Sequence, residues 1–557
     1  MINKNPYIEI PGYETACWEG WGDIGTVLKA RISEIPKKKI IITIESNLGT
    51  HITPNIQALK DTFSPNVTCR ARNIFKTPEQ IQKLTGRKSN GTTSLTHPSF
   101  TIEDYFDTQK LEGLRKNIDF IEAGVILIYG IGAYKICEPD ILIYSDISRW
   151  EQDQRFRRGE IENIGLANLQ DSYRVKSNWF HFVERKICDQ IKRSVIHDCD
   201  YFLETNNWKK PKIATGDIIR KAYDYTYSQP FFNAPFFDPE LWDGEKKEHN
   251  KPDDFNWGFD CNLDRNNVLF KFQNILFESP AINLIFFDPM KILGKNVFRK
   301  YGLDFPIRYN FIDTLDFEDL NLYTFPGIDR VRDLIDGYYQ HSECYYAMES
   351  GPQSRVSLGL KQGISPEYFE QVALEANSKK SKRDLRKLLN QIDMKKHDHL
   401  IIPDGILHDK GNNLMILAIS TASSIHEISF FPEDSEPAEI HHFSNAANHL
   451  IGSKDELFNM TQTVDFYGVP AELLGSANQG EFDLIRFYTD KPLKVSGENM
   501  INVLNMVDGP QAKITGQFRP FTVHYSETFV VPAGVDSFTI EPVNGKVGFL
   551  INRSKLA

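Results

Sequence analysis

The sequence predicts two parts of different fold class, an α/β domain at residues 1–228 and an all-β jelly-roll region at residues 229–557. In the first part, apolar runs of the buried type alternate with amphipathic stretches, which is the pattern of strand–helix–strand units. In the second part, short β-type runs are separated by Gly, Pro and Asn, which is typical of a sandwich or barrel. A charged helical insert is predicted within the β region at about 365–393.

The N-terminal elements follow from local pattern. Helices are predicted at 18–35 and 53–62, with a long charged helical stretch at 173–204. Three apolar, β-branched runs predict strands at 39–45, 124–130 and 141–144. Because these runs do not alternate with polar residues, we expect strands buried on both faces of a parallel sheet.

The second part is predicted to consist mainly of short strands. They are expected at 268–272, 282–287, 306–312, 320–325, 344–349, 355–360, 399–403, 413–420, 426–431, 501–507, 520–525, 528–531 and 537–541. Turn residues between them occur at the short, regular spacing of a closed antiparallel architecture.

Bulk properties narrow the class of partner. The net charge is −11 and the pI is about 5.8, which argues against nucleic acid and against an anionic membrane surface. The seven cysteines are scattered without a Cys-x-x-Cys spacing, as expected of reduced thiols. Neither a signal peptide nor an apolar stretch of about 20 residues is recognised, so we expect a cytoplasmic protein.

The most informative motif is the run Ile402–His408, in which an apolar strand leads through a Pro-x-Gly turn to a histidine. A side chain just past a tight turn between two buried strands is held rigidly. His408 is therefore a candidate metal ligand inside a barrel. Glu343, just before the predicted strand 344–349, is a candidate carboxylate partner, and the segment 306–314 is a third element that converges on this region.

Ordered motifs after residue 231 resemble the cupin-type mannose-6-phosphate isomerases, specifically a long bacterial form with an extra N-terminal domain. The segments that carry the resemblance are Phe237–Gly244, Ser279–Leu284, Phe305–Thr314, Glu343–Tyr346, Leu358–Lys361, Ile402–His408 and Val523–Ala533. The resemblance implies a cupin barrel, or double-stranded β-helix, and an isomerase that interconverts mannose 6-phosphate and fructose 6-phosphate. A hexose phosphate is then the expected small-molecule partner.

The resemblance also implies a zinc site with four protein ligands. Glu343 and His408 match two of them, whereas Tyr323 and Phe325 stand where the family has Gln and His. Neither replacement is a good zinc ligand at neutral pH, because a phenol titrates near pH 10 and a phenyl ring has no lone pair. His341, two residues before Glu343, is the candidate to rebuild the site, so zinc binding stays open.

Two further departures concern phosphate. Ala438 stands where the family has an arginine that lines its substrate site. In the N-terminal part, the run 144–159 resembles the counterpart domain of the long form, and its arginines resemble the phosphate-holding lid of nucleoside kinases. The phosphate-binding candidates are Arg149, Arg155, Arg157 and Arg158.

The first predicted strand is followed by residues 45–50, which contain no lysine of the phosphate-loop type. The N-terminal part is therefore predicted to be a degenerate, P-loop-kinase-like domain without phosphoryl transfer. For the whole chain, the sequence leaves three hypotheses about function. It is a mannose-6-phosphate-isomerase-like protein that has lost catalysis, a non-catalytic sugar-phosphate-binding or protein-interaction homologue, or an active isomerase with a rebuilt metal site.

Overall fold

A computed structural model describes residues 3–12, 16–86, 99–237, 257–315, 322–324, 343–378, 382–403, 406–421, 428–429, 457–475 and 481–556. The chain divides into two compact units. The N-terminal unit contains residues 6–226 and 264–288, and the C-terminal unit contains residues 1–5, 227–263 and 289–557. This differs from a single boundary at 228, because residues 264–288 fold with the N-terminal unit.

The N-terminal unit is an α/β structure. Its helices are α1 Trp21–Ser33, α2 Ile52–Phe63, α3 Pro78–Thr85, α4 Thr108–Asp119, α5 Arg149–Arg157, α6 Tyr173–Trp179, α7 Arg185–Val195, α8 Gly216–Tyr227 and α9 Ile282–Phe287. Its strands are β1 Tyr7–Glu9, β2 Cys17–Glu19, β3 Lys39–Ser46, β4 Val67–Arg70, β5 Gly124–Gly130, β6 Ile141–Asp146, β7 Tyr201–Glu204, β8 Lys212–Thr215, β11 Asn267–Phe272 and β12 Ile275–Pro280.

Seven of these strands form one sheet in the order β2-β8-β7-β6-β3-β5-β4. The strands from β4 to β7 are parallel, and β8 and β2 extend the sheet in the antiparallel sense. Successive residues of β5 enter two separate apolar cores, Ile126 and Ile128 on one face and Leu127 on the other. The sheet is thus buried on both faces, as its apolar runs predict.

The segment 264–288 completes this unit. Its β11–β12 hairpin pairs with β1 through a parallel β1–β11 ladder. The run 282–287, predicted as a strand, is instead the helix α9, so that prediction is wrong. A short apolar run does not distinguish strand from helix, and here tertiary contacts decide. The Asn283 amide donates to Asp146 Oδ2 at 3.1 Å and to Tyr223 Oη at 3.2 Å.

The C-terminal unit is rich in β-structure. The strands of its first sheet are β9 Phe236–Phe237, β10 Trp257–Cys261, β13 Arg308–Asp313, β14 Leu322–Thr324, β15 Glu343–Leu360, β16 Leu389–Asp393, β17 His399–Ile402, β18 His408–Asp409, β19 Asn412–Ser420 and β20 Ile428–Ser429. These strands enclose one apolar cluster, which we call the first barrel core; it includes Ile312, Tyr345, Leu358, Leu400, Ile402, Ile406 and Ala418.

Two further sheets share a second core. Their strands are β21 Thr461–Phe466, β22 Val469–Leu474, β23 Phe482–Thr489, β24 Leu493–Ser496, β25 Asn502–Asp508, β26 Gln511–Thr515, β27 Phe521–His524, β28 Thr528–Val531, β29 Ser537–Val543 and β30 Val547–Ser554. Phe529 and Phe549 from one sheet pack in the same cluster as Ile514 and Phe538 from the other. The prediction of a β-rich second part is confirmed in this form.

The remaining helices lie at α10 Pro289–Leu293, α11 Lys295–Tyr301 and α12 Pro366–Ser378. The insert predicted at 365–393 is helical only in part. After α12, residues Lys382–Leu388 form a 3-10 turn and Leu389–Asp393 form β16, which pairs with β15. Within the described ranges, no helix is both long and apolar enough to cross a membrane.

Candidate functional site

Four strands of the first barrel bring a row of residues into register. Arg308 on β13 pairs with Ser420 on β19, Ser420 pairs with Glu343 on β15, and Glu343 pairs with Ile402 on β17. Residues directly opposite in antiparallel strands point to the same face. Ile402 belongs to the first barrel core, so this face is the interior of the barrel. We call Arg308, Ser420 and Glu343 the polar row.

The next row inward is mostly apolar. It contains Asn310, Ala418, Tyr345 and Leu400, and the last three belong to the first barrel core. Asn310 is 8% exposed, and its Oδ1 has no hydrogen-bond partner among the described residues. The barrel therefore changes from apolar to polar over two residues of each strand.

Glu343 and His408 meet in this interior, as the sequence predicts for a converging pair. His408 Nε2 lies 3.6 Å from Glu343 Oε2, and the two side chains are 0% and 6% exposed. His408 Nδ1 lies 3.0 Å from the carbonyl oxygen of Ile406. Because that oxygen can only accept, Nδ1 carries a proton, and Nε2 is the ring nitrogen that faces Glu343.

This geometry suits two ligands of one metal ion. Two ligand atoms on a tetrahedral zinc lie about 3.4 Å apart, close to the separation found here. A ring Nδ1–H that donates to a backbone carbonyl is also the usual support of a metal-bound histidine. A zinc site, however, needs at least three protein ligands, and the described ranges contain no cluster of three His, Cys, Asp or Glu side chains able to hold a metal.

The other positions of the predicted zinc site are seen only in part. The backbone of Tyr323 on β14 pairs with His408 on β18, so these two positions are neighbours in the sheet. Phe325, His341 and Ala438 lie outside the described residues. The donors seen, one carboxylate and one imidazole, fit two corners of a zinc site and do not complete it.

Sequence reasoning singled out the segment 306–314 but not Arg308, Asn310 or Ser420 as individual site residues. The signal was present in the alternation of β13, where Arg308, Asn310 and Ile312 must share one face. What the sequence does not contain is the register between β13, β19 and β15. That register places Arg308 and Ser420 in the row of Glu343.

The four N-terminal arginines lie on or just after α5, and each contacts carboxylates. Arg149 pairs with Asp189 at 2.7 Å and with Asp264. Arg157 contacts Asp153 at 3.1 Å. The Arg158 guanidinium contacts Glu160 at 2.8 Å and Glu151 at 2.9 Å. A phosphate bound by these arginines would have to compete with carboxylates of the same unit.

Arg155 closes the loop that follows β3. Its side chain is 1% exposed and donates to the carbonyl oxygens of Gly49 at 2.5 Å and Thr205 at 2.9 Å. Gln152 donates to the carbonyl of Leu48 at 2.6 Å from the same helix. Carbonyl oxygens of the loop after β3 are thus held by side chains of α5.

Buried ionisable groups lie at the carboxyl ends of the parallel strands. Glu45, at the end of β3, accepts hydrogen bonds from the backbone N–H of Gly132 at 2.8 Å and of Tyr134 at 2.9 Å. Full burial outweighs these bonds and raises the pKa of Glu45 to about 8. At the end of β6, Asp146 pairs with Lys192 at 3.0 Å, and both side chains are less than a tenth exposed.

Comparison with known proteins gives a family match for the N-terminal part. Residues 20–228 match a family described as a domain of unknown function (DUF8485). None of the curated proteins compared with the chain matches it.

Several solved structures resemble part of the chain. The mannose 6-phosphate isomerase of Bacillus subtilis is 14% identical, with a TM-score of 0.44, over 58% of this chain and 100% of that one. A putative mannosephosphate isomerase of Archaeoglobus fulgidus is 15% identical, with a TM-score of 0.43, over 58% and 96%. The Salmonella typhimurium enzyme bound to fructose 6-phosphate and zinc is 8% identical, with a TM-score of 0.43, over 58% and 100%. Similarity at this level carries no argument about the activity of this chain.

Proposed function

We propose that the first barrel binds a hexose phosphate without turning it over, as a non-catalytic relative of the cupin-type mannose-6-phosphate isomerases. One observation supports this most directly. Glu343 and His408 lie 3.6 Å apart on a barrel interior that also presents Arg308 and Ser420. Carboxylate and imidazole recognise sugar hydroxyls, and a guanidinium recognises phosphate.

The same residues argue against turnover. Interconversion of an aldose and a ketose needs a base that carries a proton between C1 and C2 and a group that stabilises the enediol oxygens. In the family that the sequence resembles, zinc with four protein ligands supplies the second function. Here Tyr323 and Phe325 replace two of those ligands, so Glu343 and His408 are left to bind and orient a sugar.

Calorimetric titration tests the binding. We expect mannose 6-phosphate or fructose 6-phosphate to bind the full chain, and Glu343→Ala to weaken that binding by about tenfold or more through lost hydrogen bonds to hydroxyls. Glu541→Ala, on β29 in another sheet of the C-terminal unit, serves as the control and should bind as the unmodified chain does.

A coupled isomerase assay with added zinc tests the absence of turnover. Interconversion of the two hexose phosphates at rates typical of enzymes would show that the site has been rebuilt and that the chain is an active isomerase. If neither sugar phosphate binds, the proposal is wrong, and the hypothesis of a protein-interaction homologue remains.

For the N-terminal unit we propose a P-loop-like scaffold without phosphoryl transfer. Its support is the absence of lysine from residues 45–50 and the Arg155 side chain that occupies the loop carbonyls. We expect no ATP hydrolysis by the full chain. ATP turnover that disappears in Arg155→Ala or Arg158→Ala would contradict this.

A further inference from the structure

We infer that Arg308 is the residue that holds the anionic group of the ligand in the first barrel, in place of the arginine that the sequence lacks at Ala438. This inference rests on the proposed function and names one binding residue within it. The family resemblance does not include Arg308 among the expected zinc ligands. Its place in the site follows instead from the register of β13, β19 and β15.

The first step is the state of the Arg308 side chain. Its Nε is buried and has no hydrogen-bond partner among the described residues. A buried, unpartnered donor is costly, and more so when it carries charge. Some other arginines of the chain are neutralised by carboxylates, such as Arg149 by Asp189 and Arg486 by Glu472, each at 2.7 Å. The buried Nε of Arg308 would therefore be stabilised by a ligand atom that accepts a hydrogen bond.

The second step is the neighbourhood. Asn310, two residues along β13, shares the interior face and presents a side chain that is 92% buried, with an unpartnered Oδ1. Ser420 lies between Arg308 and Glu343 and is 6% exposed. The polar row therefore offers a cation at one end, a hydroxyl in the middle and a carboxylate at the other end.

The third step is the spacing. Neighbouring strands lie about 4.8 Å apart, so the backbones of Arg308 and Glu343, two strands apart, are separated by about 10 Å. That separation is comparable to the length of one phosphorylated hexose, so we place such a ligand between the two side chains. Its phosphate would accept the paired donors of the guanidinium, and its hydroxyls would donate to Glu343 and His408.

The chain offers a matched control in Arg355. It lies on β15, and its Nε is also buried without a hydrogen-bond partner among the described residues. Its neighbour Val356 belongs to the first barrel core, so Arg355 faces the opposite side of the strand. Arg355→Met removes the same charge and the same kind of donor without changing the barrel interior.

The experiment measures affinity for mannose 6-phosphate, mannose and inorganic phosphate by calorimetry, with thermal unfolding as the check on folding. We expect Arg308→Met to weaken mannose 6-phosphate binding by about 10- to 100-fold, as charge-assisted hydrogen bonds are lost. Binding of mannose should change less than about threefold, because its hydroxyls contact Glu343 and His408. Arg308→Lys should recover part of the loss, and Arg355→Met should bind like the unmodified chain.

The outcomes separate this inference from the proposed function. If the unmodified chain binds mannose 6-phosphate and folded Arg308→Met binds it equally well, the assignment of Arg308 is overturned while the proposed function stands. Equal losses for mannose and mannose 6-phosphate in a folded Arg308 variant would also overturn it. If the unmodified chain binds none of the three probes, the proposed function fails, and this inference fails with it.

Discussion

At the scale of single residues, Glu343 and His408 set what the first barrel can hold. They are nearly fully buried, their facing atoms are 3.6 Å apart, and the histidine tautomer is fixed by the carbonyl of Ile406. Such a pair is half of a metal site, and it needs further donors to bind zinc tightly.

Repair of the predicted ligand positions tests whether only the donors are missing. Tyr323→Gln combined with Phe325→His should raise zinc affinity by more than about tenfold, because four donors would then be available. Metal titration monitored by elemental analysis measures it. Glu343→Ala in the repaired background should abolish the gain, which identifies the site that took up the metal.

Activity in the repaired protein should stay poor without a further arginine. Ala438→Arg should improve isomerase activity only when the metal ligands are restored, a non-additive result typical of residues that act together. A repaired protein that gains no zinc would show that positions 323 and 325 do not share a cavity with Glu343 and His408.

Glu45 makes the stability of the N-terminal unit depend on pH. Its pKa is raised in the folded state to about 8, from 4.5, because the carboxylate is buried. The folded state thus retains a proton that the unfolded state releases above about pH 4.5. The contribution of Glu45 is fully present below that pH and is lost as the pH rises through 8.

The measurement is the free energy of unfolding in denaturant at several pH values. Between pH 5 and 8, the unmodified chain should lose on the order of a few kcal/mol relative to Glu45→Gln, whose amide does not titrate. Glu103→Gln changes a side chain that is 46% exposed and should keep the pH dependence of the unmodified chain. Parallel pH profiles for Glu45→Gln and the unmodified chain would contradict the prediction.

At the scale of elements, the segment 264–288 carries the charge that completes the core of α5 and α7. Asp264 pairs with both Arg149 and Arg185, whose side chains are 8% and 16% exposed. Burial is the larger cause and repulsion from Arg149 the smaller, and together they lower the pKa of Arg185 to about 10. Asp264 is therefore shared by two nearly buried cations, of which Arg149 also contacts Asp189.

Asp264→Asn should destabilise the N-terminal unit by about 3 kcal/mol, because it leaves a buried positive charge poorly compensated. Urea unfolding measures this change. The comparison is Asp217→Asn, whose carboxylate is 82% exposed in its contact with Arg220 and whose loss should cost less than about 1 kcal/mol. Equal effects of the two substitutions would show that the buried pair adds nothing.

Much of the element order could be predicted from local sequence, because runs such as 124–130 and 141–144 carry their pattern within themselves. The helix α9 could not, since its five apolar residues suit either structure and its helical form depends on contacts of Asn283 with Asp146 and Tyr223. The turn before His408 marked that residue as a candidate, and Glu343 was proposed from a separate run; their 3.6 Å contact needed the structure. The polar row was not predictable, because its register joins residues more than 100 positions apart.

At the scale of the whole molecule, the N-terminal unit is discontinuous in sequence. Residues 6–226 and 264–288 belong together, and the intervening residues belong to the C-terminal unit. The returning segment supplies Asp264, the β11–β12 hairpin and Ser279, whose hydroxyl lies 2.9 Å from Tyr223 Oη.

A fragment of residues 1–228 should therefore fail to fold cooperatively, although it spans the matched family region 20–228. Circular dichroism during heating should show a broad, shallow transition for this fragment. A fragment in which a flexible linker joins residues 264–288 to residue 228 should recover a sharp one. A sharp transition of the short fragment at the temperature of the full chain would contradict the prediction.

This discontinuity also delays folding of the N-terminal unit during synthesis. When residue 226 leaves the ribosome, the N-terminal unit still lacks 264–288, and 62 further residues (288 − 226) must be made before its last helix exists. At about 5–20 residues per second, that interval lasts about 3–12 s. For part of this interval, Arg149 and Arg185 lack the carboxylate of Asp264, and β1 lacks its partner strand β11. The nascent chain thus has a defined period of exposure to chaperones and proteases, which a contiguous domain of the same size would avoid.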